Sequence, residues 1–123
     1  MILLDTNALI WLEGGHARIR RLARRVRRLY ISPANLLEIQ LLLEAGRIRL
    51  RPGGSIVRIA QDERWVLDDP PAAEWFTKAL ELGWTRDPFD RLLVAHARLR
   101  GWRLATGDAN LLKQLESAEA LEI

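Results

Sequence analysis

Ile2-Leu3-Leu4-Asp5-Thr6-Asn7 is a short apolar run that stops at three polar residues, each of a type suited to cap a helix. It reads as a buried strand that delivers Asp5 to its carboxyl tip, followed by a helix over Ala8 to Glu13 that Gly14-Gly15 stops. The same unit of strand, polar turn and helix recurs along the chain. Tyr30-Ile31-Ser32 passes through Ser32-Pro33, an N-cap and a first-turn proline, into a helix reaching about Gly46. Trp65-Val66-Leu67 leads to Asp68-Asp69-Pro70-Pro71 and a helix through Leu82. Arg103-Leu104-Ala105-Thr106 leads through Gly107-Asp108 to a short helix over Leu111 to Leu115.

Between these units lie a helix over Ala17 to Leu29 with the stripe Ile19, Leu22, Val26 and Leu29, a turn region from Arg47 to Gly54, a helix over Ser55 to Asp62, and a helix from Asp87-Pro88 to Gly101. Leu121 to Ile123 can add a last strand. Strands alternating with helices, and no hairpin turns, predict a three-layer α/β/α sandwich around a short, mostly parallel sheet of four to five strands.

Composition narrows the class. The chain has 123 residues, 49% hydrophobic and 28% charged, which suits one globular domain over residues 1–123. No apolar run approaches the ~20 residues that cross a bilayer, and the first residues lack the basic start of a signal peptide, so a cytoplasmic protein is expected. With no cysteine, thiolate metal sites are excluded and any metal must sit on oxygen or on His16 and His96. Lys78 and Lys113 are the only lysines among 19 basic residues, and the net charge of +3 is too small to establish nucleic-acid binding by itself.

Four acids stand out. In an open parallel sheet, functional groups gather beyond the carboxyl ends of the strands, where Asp5 and Asp108 both stand; each also suits a plain N-cap. Glu38 lies inside Leu36-Leu37-Glu38-Ile39, roughly opposite the polar Gln40 on the helix, and so points inward, where a lone carboxylate needs a cation, a hydrogen-bond network or a proton. Asp90 heads the stripe Asp90, Leu93, Val94, Ala97, while Asp87 suits the N-cap of the same helix. Four carboxylates in one pocket repel one another and call for concentrated positive charge. Oxygen ligands point to Mg²⁺ or Mn²⁺, and the chemistry that follows is hydrolysis of a phosphodiester.

Leu3-Leu4-Asp5-Thr6-Asn7, Ile31-Ser32 with Leu37-Glu38-Ile39, Arg86-Asp87-Pro88-Phe89-Asp90-Arg91-Leu92-Leu93-Val94-Ala95-His96-Ala97 and Thr106-Gly107-Asp108 together resemble the ordered motifs of PIN-domain VapC toxins. The resemblance covers almost the whole chain, and its most specific part is the segment from Asp87 to Ala95. It implies a PIN-like fold and a Mg²⁺-dependent endoribonuclease, the toxin of a toxin–antitoxin pair. Asp5, Glu38, Asp90 and Asp108 would form the acidic quartet, with metal on Asp5, Asp90 and Asp108 and with Asn7 and Thr106 as supporting groups. The implied partners are RNA, a cognate antitoxin and a second copy of the chain. His96 stands where glutamine is frequent, and Asn110 where some members carry another acid.

The arginines between Arg18 and Arg28 could track an RNA backbone, dock an acidic antitoxin segment or simply form a solvated face. Trp11, Trp65, Trp75, Trp84 and Trp102 are scattered and read as packing residues in the core or a dimer interface; His16 and His96 read as structural. A haloacid-dehalogenase-like phosphatase would need a second acid where Asn7 stands. A catalytically silent PIN-like RNA-binding or scaffold module is the non-enzyme alternative.

Overall fold

The computed structural model describes residues 1–25 and 28–123. Val26 and Arg27, part of the expected stripe and basic face, lie outside the described residues, as do the side chains of Arg18, Arg21 and Arg25. The elements follow one another as β1 (Ile2–Leu4), α1 (Thr6–Glu13), α2 (Ala17–Arg25), β2 (Leu29–Ile31), α3 (Pro33–Glu44), α4 (Ile56–Gln61), β3 (Val66–Leu67), α5 (Ala72–Ala79), α6 (Pro88–Arg100), β4 (Arg103–Thr106), α7 (Ala109–Gln114) and β5 (Ala120–Glu122).

The five strands form one sheet in the order β3-β2-β1-β4-β5, and every pairing is parallel. Alternation along β1 divides the apolar residues between two layers. Leu3 faces a core shared with Trp75, Leu82, Leu93, Val94, Leu104 and Leu111. Ile2 and Leu4 face a second core with Leu9, Leu12, Ile19, Ile39, Ile59 and Trp65. Helices therefore cover both faces of the sheet, as parallel strands require.

Several boundaries differ from the sequence reading: α5 stops at Ala79 short of Leu82, α7 starts at Ala109 and ends at Gln114, β5 runs one residue earlier, and the second helix loses Leu29. Leu29 does not end the second helix; it opens β2, opposite Ile2, and is buried there. An apolar residue at helical spacing satisfies either arrangement, and pairing with the central strand decides it. Elsewhere the local signals act as expected. Ser32 accepts a hydrogen bond from Ala34 N and Asn35 Oδ1 accepts one from Ser32 N, closing the first turn of α3. Asp87 caps α6, and Gly101 ends it at φ 70°, a left-handed conformation that favours glycine. His96 is buried, with its Nε2 2.7 Å from Asp68 Oδ2, and His16 stacks on Trp11. Trp65 and Trp75 are buried in the two cores, each donating its indole N–H to a backbone carbonyl. Among the described residues no helix is long and apolar enough to cross a membrane.

Candidate active site

β1 and β4 lie side by side in register, Leu4 opposite Ala105, so the residues that follow them meet at one end of the sheet. Asp5 is N-cap to α1 and accepts a hydrogen bond from Ala8 N at 2.7 Å. Asp108 is N-cap to α7 and accepts from Asn110 N and Leu111 N. Thr106, fully buried, joins the two: its hydroxyl hydrogen-bonds the Asp5 carboxylate, and its oxygen accepts from Asp108 N at 3.0 Å.

α3 and α6 supply the other side of the hollow. Asp5, Thr6, Asn7, Glu38, Leu42, Asp87, Asp90, Leu93, Asp108 and Leu111 line one cleft of about 220 Å³. All four acids singled out in the sequence stand in its wall, with Asn7 exposed at the same cleft and Thr106 beneath it. Asp87 stands there too. Its carboxylate accepts from Phe89 N and Asp90 N, so it caps α6 and adds negative charge to the cleft.

Two residues passed over in the sequence hold this wall in place. The Asn35 side-chain amide is fully buried and donates to Leu4 O and to Thr6 Oγ1, at 3.2 and 3.1 Å. The Thr6 hydroxyl in turn hydrogen-bonds the Glu38 carboxylate. A chain of hydrogen bonds thus ties α3 to the start of α1, and Asn35 uses both ends of its amide. The three-residue spacing from Ser32 to Asn35 signals the capping half of this role; the half that reaches β1 has no local signature.

The electrostatics follow from crowding. Burial raises the pKa of Asp5 against the hydrogen bonds from Thr106 and Ala8, and the Asp108 charge adds to the rise. Burial likewise raises Glu38, opposed by Thr6 and assisted by Asp87 and Asp5. Asp90 is pushed up to about 7, first by burial and then by the charges of Asp87, Asp108, Glu38 and Asp5. Among the described residues no lysine or arginine pairs with any of these five acids, although Glu13, Asp62, Asp68, Glu81 and Glu119 all have basic partners.

That imbalance fits a cation bound through hard oxygen atoms. Among the described residues no three Asp, Glu or His side chains are grouped closely enough to hold an ion by themselves. The arrangement suits an ion that keeps several of its waters and takes only one or two carboxylates directly better than one that demands a full protein cage.

A parallel sheet between two helical layers, with a cluster of acids at its carboxyl edge that have no basic partner among the described residues, defines the class: an α/β protein with an acidic cleft beyond the carboxyl ends of its strands. Within that class the chain belongs to the PIN-domain family, whose model matches residues 2–116. No curated protein matches it. Among solved structures it is similar to a chain of a toxin–antitoxin complex from Klebsiella pneumoniae (15% identity, 98% of this chain and 96% of that one, TM-score 0.73). It is also similar to VapC20 of Mycobacterium tuberculosis, a sarcin-ricin loop cleaving toxin (19% identity, 93% and 95%, TM-score 0.66). A third similar chain is that of a DNA-bound VapBC from Salmonella typhimurium (21% identity, 98% and 96%, TM-score 0.66). At these identities the likeness is one of fold.

Proposed function

We propose that this protein is a Mg²⁺-dependent endoribonuclease of the VapC type, the toxin of a toxin–antitoxin pair acting in the cytoplasm. The observation that carries this reading is the cleft in which Asp5, Glu38, Asp90 and Asp108 stand together without a basic partner among the described residues. Asp5, Asp90 and Asp108 would hold Mg²⁺, one or two of them directly and the remainder through its bound waters, with Mn²⁺ as a substitute. When bound, the ion supplies the positive charge that an attacked phosphodiester and an ionising water both need.

The chain's own groups divide the remaining work. Glu38, steadied by Thr6, has a raised affinity for protons and takes one from the attacking water. Thr106 fixes Asp5 relative to the Asp108 backbone. Asn7, exposed at the cleft, offers its amide to a phosphate oxygen.

The likeness to chains from toxin–antitoxin complexes supports an antitoxin as partner. α3 supports a second copy of the chain. It is apolar on nearly every side, and Leu37 and Leu41 lie one turn apart, 56% and 46% exposed, where a solvated helix would carry polar residues.

The test is cleavage of RNA by the purified protein with Mg²⁺, in EDTA, and in the variants Asp5→Asn and Asp90→Asn. Activity that requires Mg²⁺ and is lost in both folded variants is expected. Cleavage that persists in EDTA or in both variants overturns the reading, and RNA binding without any cleavage assigns the chain to the silent class.

A further inference from the structure

Beyond α3 the chain runs Arg47-Ile48-Arg49-Leu50-Arg51. Exposure alternates along it: the three arginines are exposed, whereas Ile48 and Leu50 are partly buried and pack against the second core. Residues 48–51 belong to no helix or strand, yet they show the two-residue period of an extended chain, which sets neighbouring arginines about 6–7 Å apart on one side. Pro52-Gly53-Gly54 then folds the segment back. A Cβ at Gly54 would lie 3.0 Å from Arg51 O and 3.3 Å from Glu13 Oε1, so the close approach depends on glycine there. Arg58, on the first turns of α4, adds a fourth exposed guanidinium.

Among the described residues, one of these four is neutralised. Arg51 Nε lies 3.1 Å from Glu13 Oε1, which anchors the segment to the last residue of α1. Among the described residues, Arg47, Arg49 and Arg58 have no carboxylate partner.

The arginine row also has a fixed relation to the cleft. It lies past the far ends of α1 and α3, the two helices that carry Asn7 in the first turn of α1 and Glu38 in the second turn of α3. Six residues separate Glu38 from the end of α3, about 9 Å at the α-helical rise. Arg47 N donates to the carbonyl of Leu42, itself a residue of the cleft wall.

We propose that Arg47, Arg49 and Arg58 form a secondary binding surface for the phosphate backbone of single-stranded RNA, engaging the strand away from the residues that cut it. Arg47 and Arg49, unpaired and alternating along an extended segment, with Arg58 on the helix that follows the turn, present guanidinium groups to a line of phosphates and carry no base-reading geometry. The inference rests on the ribonuclease reading for its choice of ligand, and it favours RNA over an acidic peptide because Arg47 and Arg49 project at a two-residue period from an extended segment, and the hollow that Arg58 lines already holds the carboxylates of Glu13 and Asp62.

The experiment measures binding of a fluorescently labelled, unstructured RNA of about 15 nucleotides, in EDTA, by anisotropy over a series of salt concentrations. EDTA separates the outcome from cleavage: a protein that never cuts RNA can still pass or fail. The triple substitution Arg47→Ala, Arg49→Ala, Arg58→Ala is expected to weaken binding about tenfold or more at low salt and to reduce the slope of log affinity against log salt by about 2. The corresponding triple lysine variant keeps the charge and is expected to recover most of the slope, which separates a charge effect from a folding defect. Equal affinity and slope in wild type and alanine variant overturn the proposal. So does competition by polyglutamate as effective, charge for charge, as competition by unlabelled RNA, which would reassign the surface to an acidic protein partner.

Discussion

Asp68 and Asp90 are both partly buried carboxylates, and burial is the largest influence on each. Their outcomes are opposite. Asp68 receives Arg100 Nε at 2.8 Å and stands 2.7 Å from His96 Nε2, and these partners reverse the cost of burial and hold its pKa below the usual range. Asp90 receives no such partner, faces four other acids, and rises to about 7. Burial alone therefore does not mark a working residue. What separates the two positions is whether the fold itself supplies the compensating charge.

Removing compensation where it exists carries the largest expected effect on stability. Asp68→Asn leaves Arg100 without its carboxylate and weakens the contact to a fully buried imidazole, and should destabilise the protein by about 2–3 kcal/mol in urea unfolding at pH 7. A loss below about 0.5 kcal/mol would erase the contrast.

Removing an uncompensated charge should do the reverse. Asp90→Asn relieves repulsion in the cleft and is expected to raise stability by about 1–2 kcal/mol at pH 8 without Mg²⁺, a figure discounted for the solvent on its open side. Asp90 has a raised folded-state pKa, so its penalty is absent at low pH and develops as pH rises from about 4 through about 7. His96 has a lowered pKa through burial, so its contribution has the opposite sign, present above about pH 6.5 and lost as pH falls below it. Asp68, also lowered, loses its contribution only below about pH 4. The stability profile of Asp90→Asn should consequently climb more steeply from pH 4 to 7 than that of the wild type. Parallel profiles would show that Asp90 carries no such penalty.

A cation entering the cleft must displace any proton held there. Affinity for Mg²⁺, read by calorimetry, should therefore increase up to about tenfold per pH unit below pH 7 and level off above it. A flat dependence from pH 5.5 to 8 would mean that the ion avoids Asp90. The smallest effect belongs to a half-buried pair, Arg98 with Glu119 at 2.7 Å: Glu119→Gln should cost no more than about 1 kcal/mol, because both partners keep enough solvent contact to screen the charges.

The sequence made the strand-end acids and the inward-facing Glu38 readable because they rest on local rules: an apolar run that stops at Asp5 or Asp108, and a charge out of phase with the wet face of a helix. Gln40 is indeed exposed, hydrogen-bonded to Glu44, while Glu38 turns toward the cleft. Asn35 was illegible for the opposite reason. Its contacts with Leu4 and Thr6 bridge separate strand–helix units, and nothing near position 35 announces them. Asp87 read as a cap and is one, but its second place in the cleft wall follows from how α6 packs beside β1 and β4. The end of the second helix was misjudged because Leu29 serves a strand as well as it would serve an apolar stripe.

The pairing of β1 with β4 has a further consequence. Asp5 emerges from the ribosome about a hundred residues ahead of Asp108 and of the strand that sets it beside Asp5. Whatever chemistry the assembled carboxylates perform, the growing chain cannot perform it in full. The order in which the codons are read keeps the acids of the cleft apart until β4 slots in beside β1.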